Sequence, residues 1–224
     1  MRTGPETRAA TGFLPGIAPL AFDAGWLRGR LAGLPPAQDP DWETLLQGMA
    51  PQVAATRPIH TRLPRHAAVL VPLVPAPDPM VLLTRRSALL RHHSGQVSFP
   101  GGRRDAADRG PAETALRESQ EEIGLEPSAV TLLGRLPVQW THASNFLITP
   151  VVGLLSPEAR WLAAPEEVDV IFGMPLQQLL DPDAPRLIEG GLRHGSWSWP
   201  HPEHDIWGAT AAILLRLAVA LRGT

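Results

Sequence analysis

The chain has 224 residues, 44% of them apolar, enough for one sizeable core within the range of a single domain. It contains no cysteine, which excludes a disulfide framework, a zinc-thiolate site and a cysteine nucleophile, and which fits a reducing cytoplasm. Its formal net charge of -2 excludes broad binding to nucleic acid or to an anionic membrane, so an anionic partner must meet a local cluster of cations.

Residues 1–64 are rich in Pro and Gly and read as an N-terminal arm laid over a core, with the catalytic domain at 65–224. Pro15, Gly16 and Pro19 interrupt the early apolar patch and Glu6 precedes it, so no cleaved targeting signal is expected. Two short helices are predicted at 23–34 and 41–50, each opening on an aspartate able to cap it. From residue 67 the pattern becomes strand-like, with strands expected at 67–74, 80–86 and 95–102, then at 130–139, 147–155 and 168–173. Residues 186–199 read as a small hairpin, and a last helix at 205–222 repeats apolar residues on one face, with Asp205 placed to cap it. The longest apolar run, 206–221, is too short for a membrane span and carries Arg216. The expected fold class is α/β, a mixed sheet between helices.

The chemistry concentrates between Phe99 and Leu125. Pro111 suits the first turn of a helix and Gly124 its exit, which brackets a helix at 111–123. At about 100° per residue, Glu118, Glu121 and Glu122 share one face, while Ala112, Ala115, Leu116, Ser119 and Ile123 share another that can pack on a sheet. Like charges so placed oppose the helix unless they face water or meet cations. Arg117, one turn before Glu121, is placed to orient its carboxylate. Hard cations such as Mg²⁺ take oxygen ligands while also binding substrate phosphates, and the Gly101–Gly102 turn allows a close backbone approach. The plain alternative is a solvated acidic face.

Upstream, Arg85, Arg86, Arg91, His92 and His93 put five potential cations within nine residues. Arginine's planar fork binds phosphate oxygens bidentately, so such a cluster suits a substrate with several phosphates. Here too a solvated loop is the alternative. "HPEHD" (201–205) has the look of a metal site, yet His201 and His204 sit in a Pro-containing segment and structural roles are expected. Trp197 and Trp199 share a strand face, for core packing or, alternatively, for stacking on an adenine.

"RESQEEIGL" (117–125) resembles the second half of the box of the Nudix hydrolases, G-x5-E-x7-R-E-U-x-E-E-x-G-U, with Ser119 where U, a bulky apolar residue, is usual. The first half departs: Asp108 stands for the first glutamate and the spacer to Arg117 is one residue longer. "LLTRRSALLRHHSGQVSFPGG" (82–102) is similar to the signature of the coenzyme A pyrophosphatase branch, L-L-T-x-R-[SA]-x3-R-x3-G-x3-F-P-G-G, at every fixed position. "DIWGATA" (205–211) resembles that branch as well, and the likeness spans roughly residues 65–221.

The resemblance implies an α/β/α sandwich and hydrolysis of the diphosphate of coenzyme A or a derivative, giving 4'-phosphopantetheine, or its acyl form, and 3',5'-ADP. It implies Mg²⁺ or Mn²⁺ held by Glu118, Glu121, Glu122 and the Gly101 carbonyl, with Arg117 in support. Substrate would meet Arg85, Arg86, Arg91 and His93. A further carboxylate from "APEEVDVIFGMPL" (164–176) is implied as metal ligand or base, with Glu167 chosen and Glu166 and Asp169 as runners-up. Partners are the small-molecule substrate, no nucleic acid and no membrane, with a homodimer left open. The rivals are a Nudix enzyme for another nucleoside diphosphate derivative, such as ADP-ribose, NADH or a nucleotide, and a catalytically silent nucleotide-binding module.

Overall fold

The run Ala67–Leu73 is small or apolar almost without break, as expected for a strand covered on both faces, and it is the buried heart of β1 (Arg65–Val74). The computed structural model describes residues 22–38, 41–49, 62–90, 93–141 and 143–223. β1 runs parallel to β7 (Phe146–Leu155), from Arg65 opposite Phe146 to Leu73 opposite Leu154. β5 (Val130–Arg135) and β6 (Gln139–Thr141) pair with β7 antiparallel. At its far end β1 pairs with β2 (Met80–Arg86), but at its near end with β4 (Gly101–Arg103). β2 pairs instead with β8 (Val168–Pro175) along its length and with β3 (Val97–Ser98) at Thr84 and Arg85. The eight-stranded mixed sheet therefore divides between β1 and β2, and Phe99 and Pro100 cross the gap.

The single strand expected at 95–102 is thus two short ones. Proline lacks the amide a central ladder needs, and Pro100 marks the crossing. The strand expected at 130–139 ends at Arg135 and pairing resumes at Gln139, on either side of Pro137.

Helices cover both faces. α1 (Ala24–Leu31) and α2 (Trp42–Gly48) start where the aspartates indicated: Asp23 accepts from the Trp26 amide at 2.7 Å and Asp41 from the Thr44 amide at 2.8 Å. α3 (Pro111–Ile123) packs with α2 on one face, where Ala115 and Ile123 meet Ala68, Leu70 and Leu82. α1, α4 (Leu176–Leu180) and α5 (Gly208–Arg222) cover the other, where Leu214 and Leu217 meet Val71, Leu73 and Leu83. The result is an α/β/α sandwich. Trp42 links α2 to α3: its amide donates to the Arg109 carbonyl and its indole to the Thr114 hydroxyl at 3.2 Å.

β9 (Arg186–Leu187) and β10 (Trp197–Trp199) form the expected hairpin, and β11 (Ile206–Trp207) adds a third strand. Asp205 does not cap α5. The helix opens later, after Trp207 and without a side-chain cap, because Ile206 and Trp207 are drawn into pairing with β10. Asp205 pairs with Arg193 at 2.6 Å instead. No helix among the described residues is long and apolar enough to cross a membrane.

Candidate active site

α3 has the bounds its sequence indicated. Pro111 opens it, and Gly124, at φ 61°, takes the left-handed turn that closes it and returns its amide to the Gln120 carbonyl. Ser119, where an apolar residue is usual, is fully buried but satisfied, its hydroxyl donating to the Ala115 carbonyl at 2.6 Å. The three glutamates share the helix yet differ in environment: the side chain of Glu121 is 55% exposed, that of Glu118 17% and that of Glu122 2%. A merely solvated acidic face would not bury two of its three carboxylates.

Arg117 sets the position of two of them. Its Nη1 donates to Glu118 Oε1 at 2.9 Å and to Glu121 Oε2 at 3.2 Å, and its Nη2 to the Arg103 carbonyl at 3.1 Å. Asp108 holds Arg117 from behind through both oxygens, at 3.1 Å to Nε and 3.0 Å to Nη2. Asp108 also accepts from the Thr114 hydroxyl at 2.8 Å and the Asp105 amide at 2.9 Å. Burial alone would raise its pKa, but these donors hold it below the usual carboxylate range, and Arg117 is raised in turn. Asp108 was not among the residues singled out for the site; its place nine residues before Arg117, where the related box has glutamate, was the available signal. Asp108→Ala is expected to cost about 2 kcal/mol in urea unfolding, since it strands a partly buried guanidinium. Wild-type stability would show that Arg117 is held by the glutamates alone.

Glu122 is held by groups from the upstream segment. Its Oε1 accepts from Arg86 Nη1 at 3.1 Å and its Oε2 from the Gly101 amide at 3.0 Å. Burial nonetheless pushes its pKa up to about 7, with Glu167 and Glu118 adding to the rise. Glu118 is raised as well, first by burial and further by Glu121 and Glu167. Glu167 thus stands within electrostatic reach of both, half-buried just before β8, while Glu166 is exposed. The loop that carries it is tied to the end of α3, the Leu162 amide donating to Ile123 and the Ala164 amide to Glu122. Gly102 keeps the site open: a Cβ there would lie 2.2 Å from Glu118 Oε2.

The basic segment does not gather into one cluster among the described residues. Alternation along β2 sends Arg86 to the α3 face and Arg85 to the other, where it lies 3.9 Å from Asp169. His93, at φ 58°, meets Gln96 at 2.8 Å. Arg91 and His92 lie outside the described residues.

Among the described residues, no three acidic or histidine side chains stand as a formed cation site. Arg117 and Arg86 hold the carboxylates instead. By donor chemistry the residues fit a hard divalent cation: mutually repelling carboxylates converge beside a glycine that leaves them room. His201 Nδ1 organises its own loop as expected, accepting the amides of Glu203 and His204, and the His204 ring packs on Phe172. Trp199 is 2% exposed within the core and Trp197 packs against it.

A family model described as the NUDIX domain matches residues 64–190. A protein of Pectobacterium atrosepticum named "Uncharacterized Nudix hydrolase NudL" is 46% identical over 169 residues, covering 74% of this chain and 86% of the relative. One of the same name from Photorhabdus laumondii is 42% identical over 157 residues, covering 69% and 83%. Among solved structures, the NUDIX domain of Shewanella oneidensis NrtR complexed with ADP ribose aligns with a TM-score of 0.48 at 17% identity, over 73% of this chain and 90% of that one.

Proposed function

The chain belongs to the Nudix hydrolase family, whose members act on nucleoside diphosphate derivatives, and from that premise we propose that its substrate is coenzyme A or a derivative. Cleavage of the diphosphate would release 4'-phosphopantetheine, or its acyl form, and 3',5'-ADP.

The observation that carries this reading is the run 82–102, several of whose described fixed positions are engaged at the carboxylate helix or in the turn before it. Thr84 bonds the Ser98 carbonyl at 3.2 Å, and Arg86 and Gly101 clasp Glu122. The Ser87 amide donates to the Glu167 carbonyl at 2.9 Å. Gly95 takes a left-handed turn at φ 68°, and Gly102 makes room for Glu118. The run that resembles the coenzyme A branch thus contacts the carboxylates proposed for the reaction, which supports the reading.

Glu118, Glu121 and Glu122, with the Gly101 carbonyl, would hold Mg²⁺ or Mn²⁺. When bound, such an ion neutralises diphosphate oxygens and acidifies a water. Arg117, fixed by Asp108, donates to Glu118 and Glu121 and would orient both carboxylates. Glu167, outside the helix but electrostatically coupled to Glu118 and Glu122, would take the proton of the attacking water. No covalent intermediate is needed. A panel of coenzyme A, ADP-ribose, NADH and nucleoside triphosphates, each with and without Mg²⁺, tests the reading. Coenzyme A should be cleaved best and only with the ion. Preference for another member would replace the substrate, and no cleavage of any would favour a silent binding module.

Glu167→Gln is expected to lower kcat by about a hundredfold, the lower end of what a positioned base supplies. Glu166→Gln should match wild type. The reverse pattern in the two variants would move the assignment by one residue.

A further inference from the structure

Resting on hydrolysis of a nucleoside diphosphate derivative, we propose that the cleft in the β10–β11 hairpin is the subsite for the substrate's purine base, which stacks on the rings of His201 and His204. The cleft, of about 430 Å³, is formed by residues 198–206 together with Arg186, on the sheet face opposite α3. That volume lies within the range of small-molecule sites.

Three planar rings cluster there. Phe172 and His204 have centroids 3.8 Å apart, His201 and His204 stack at 4.8 Å with planes 26° apart, and Phe172 lies 5.0 Å from His201. Burial, first of all, lowers the pKa of both histidines and so favours the uncharged ring. The loop is already formed. His201 Nδ1 gathers the amides of Glu203 and His204, and Gln178 of α4 donates to the Pro200 carbonyl.

His201 and His204 are only half-buried, so part of each ring is open to the cleft. A purine offers a flat face to meet these rings. A flexible pantetheine arm offers no such face. His201 Nδ1 is committed to the loop and is not offered to a metal ion.

The position fits a substrate that reaches the carboxylates. Arg85 and Arg86 are neighbours on β2, yet Arg86 bonds Glu122 while the charge of Arg85 acts on His204. Base cleft and α3 therefore flank the same end of one strand, and a substrate held by both would pass around that end.

The test is calorimetric binding of two probes, adenosine 3',5'-bisphosphate and 4'-phosphopantetheine, to the full chain in chelator. His201→Phe keeps a flat ring but loses the loop acceptor; His201→Asn keeps an acceptor but loses the ring. The bisphosphate should bind wild type and His201→Phe within about threefold of each other, and His201→Asn at least about tenfold more weakly. Phosphopantetheine should not distinguish the three. Loss in His201→Phe with retention in His201→Asn would make His201 a loop organiser only. Weakened phosphopantetheine binding would assign the cleft to the other half of the substrate, and equal binding of the bisphosphate by all three, or none by wild type, would remove the subsite. If coenzyme A proves not to be the substrate, the hydrolysis panel shows it while these affinities stand.

Discussion

Glu121→Gln should turn over between about a hundredfold and a thousandfold more slowly than wild type, the range seen when one electrostatic contact to a reacting centre is removed. Glu121 is the most exposed of the three glutamates, so its amide can be accommodated without a packing defect, and thermal unfolding should be nearly unchanged. Its partner Arg117 retains Asp108 and Glu118. The substitution therefore separates charge from structure. A folded variant with near-normal kcat would remove the carboxylates of α3 from the chemistry.

Glu122 tests the site through stability. In chelator-treated protein, stability should fall as pH rises from 4.5 to about 7, because Glu122 keeps its proton in the folded state across that window and the unfolded chain does not. With more protons bound when folded than when unfolded, the slope of unfolding free energy against pH is negative, and the gap amounts to about 3 kcal/mol at most. Burial is the first cause, and it outweighs the Gly101 amide and Arg86, which favour the charged form. Glu122→Gln should flatten the profile, and added Mg²⁺ should flatten that of wild type. A flat profile in chelated wild type would show that Arg86 and Gly101 already hold the carboxylate ionised.

How much of this was legible in the sequence depended on whether the signal was local. The bounds of α3 were, because Pro111 and Gly124 act within one turn of themselves, and so were the caps Asp23 and Asp41. The grouping of Glu118, Glu121 and Glu122 followed from helical spacing. Their unequal burial did not, since it depends on which strand lies over each residue: β4 crosses Glu118 and Glu122, while Glu121 is left to water. The five-cation cluster was legible as charge but not as geometry. Strand alternation sends Arg85 and Arg86 to opposite faces, and each meets a carboxylate distant in sequence. Asp108 shows the same limit, for its nine-residue reach to Arg117 closes only when the turn before α3 folds back. The start of α5 was misplaced because pairing of β11 with β10 competes with helix formation, a contest between segments that local propensity cannot decide.

The bond between Trp42 and Thr114 has a reach beyond the packing of α2 on α3. The Thr114 hydroxyl that receives the indole N–H in turn donates to Asp108, Asp108 grips Arg117, and Arg117 aims Glu118. These contacts make a mechanical linkage whose handle lies upstream of residue 64, where the match to the family model begins. A change at Trp42 can therefore be felt at Glu118 with every residue of the box left as it stands.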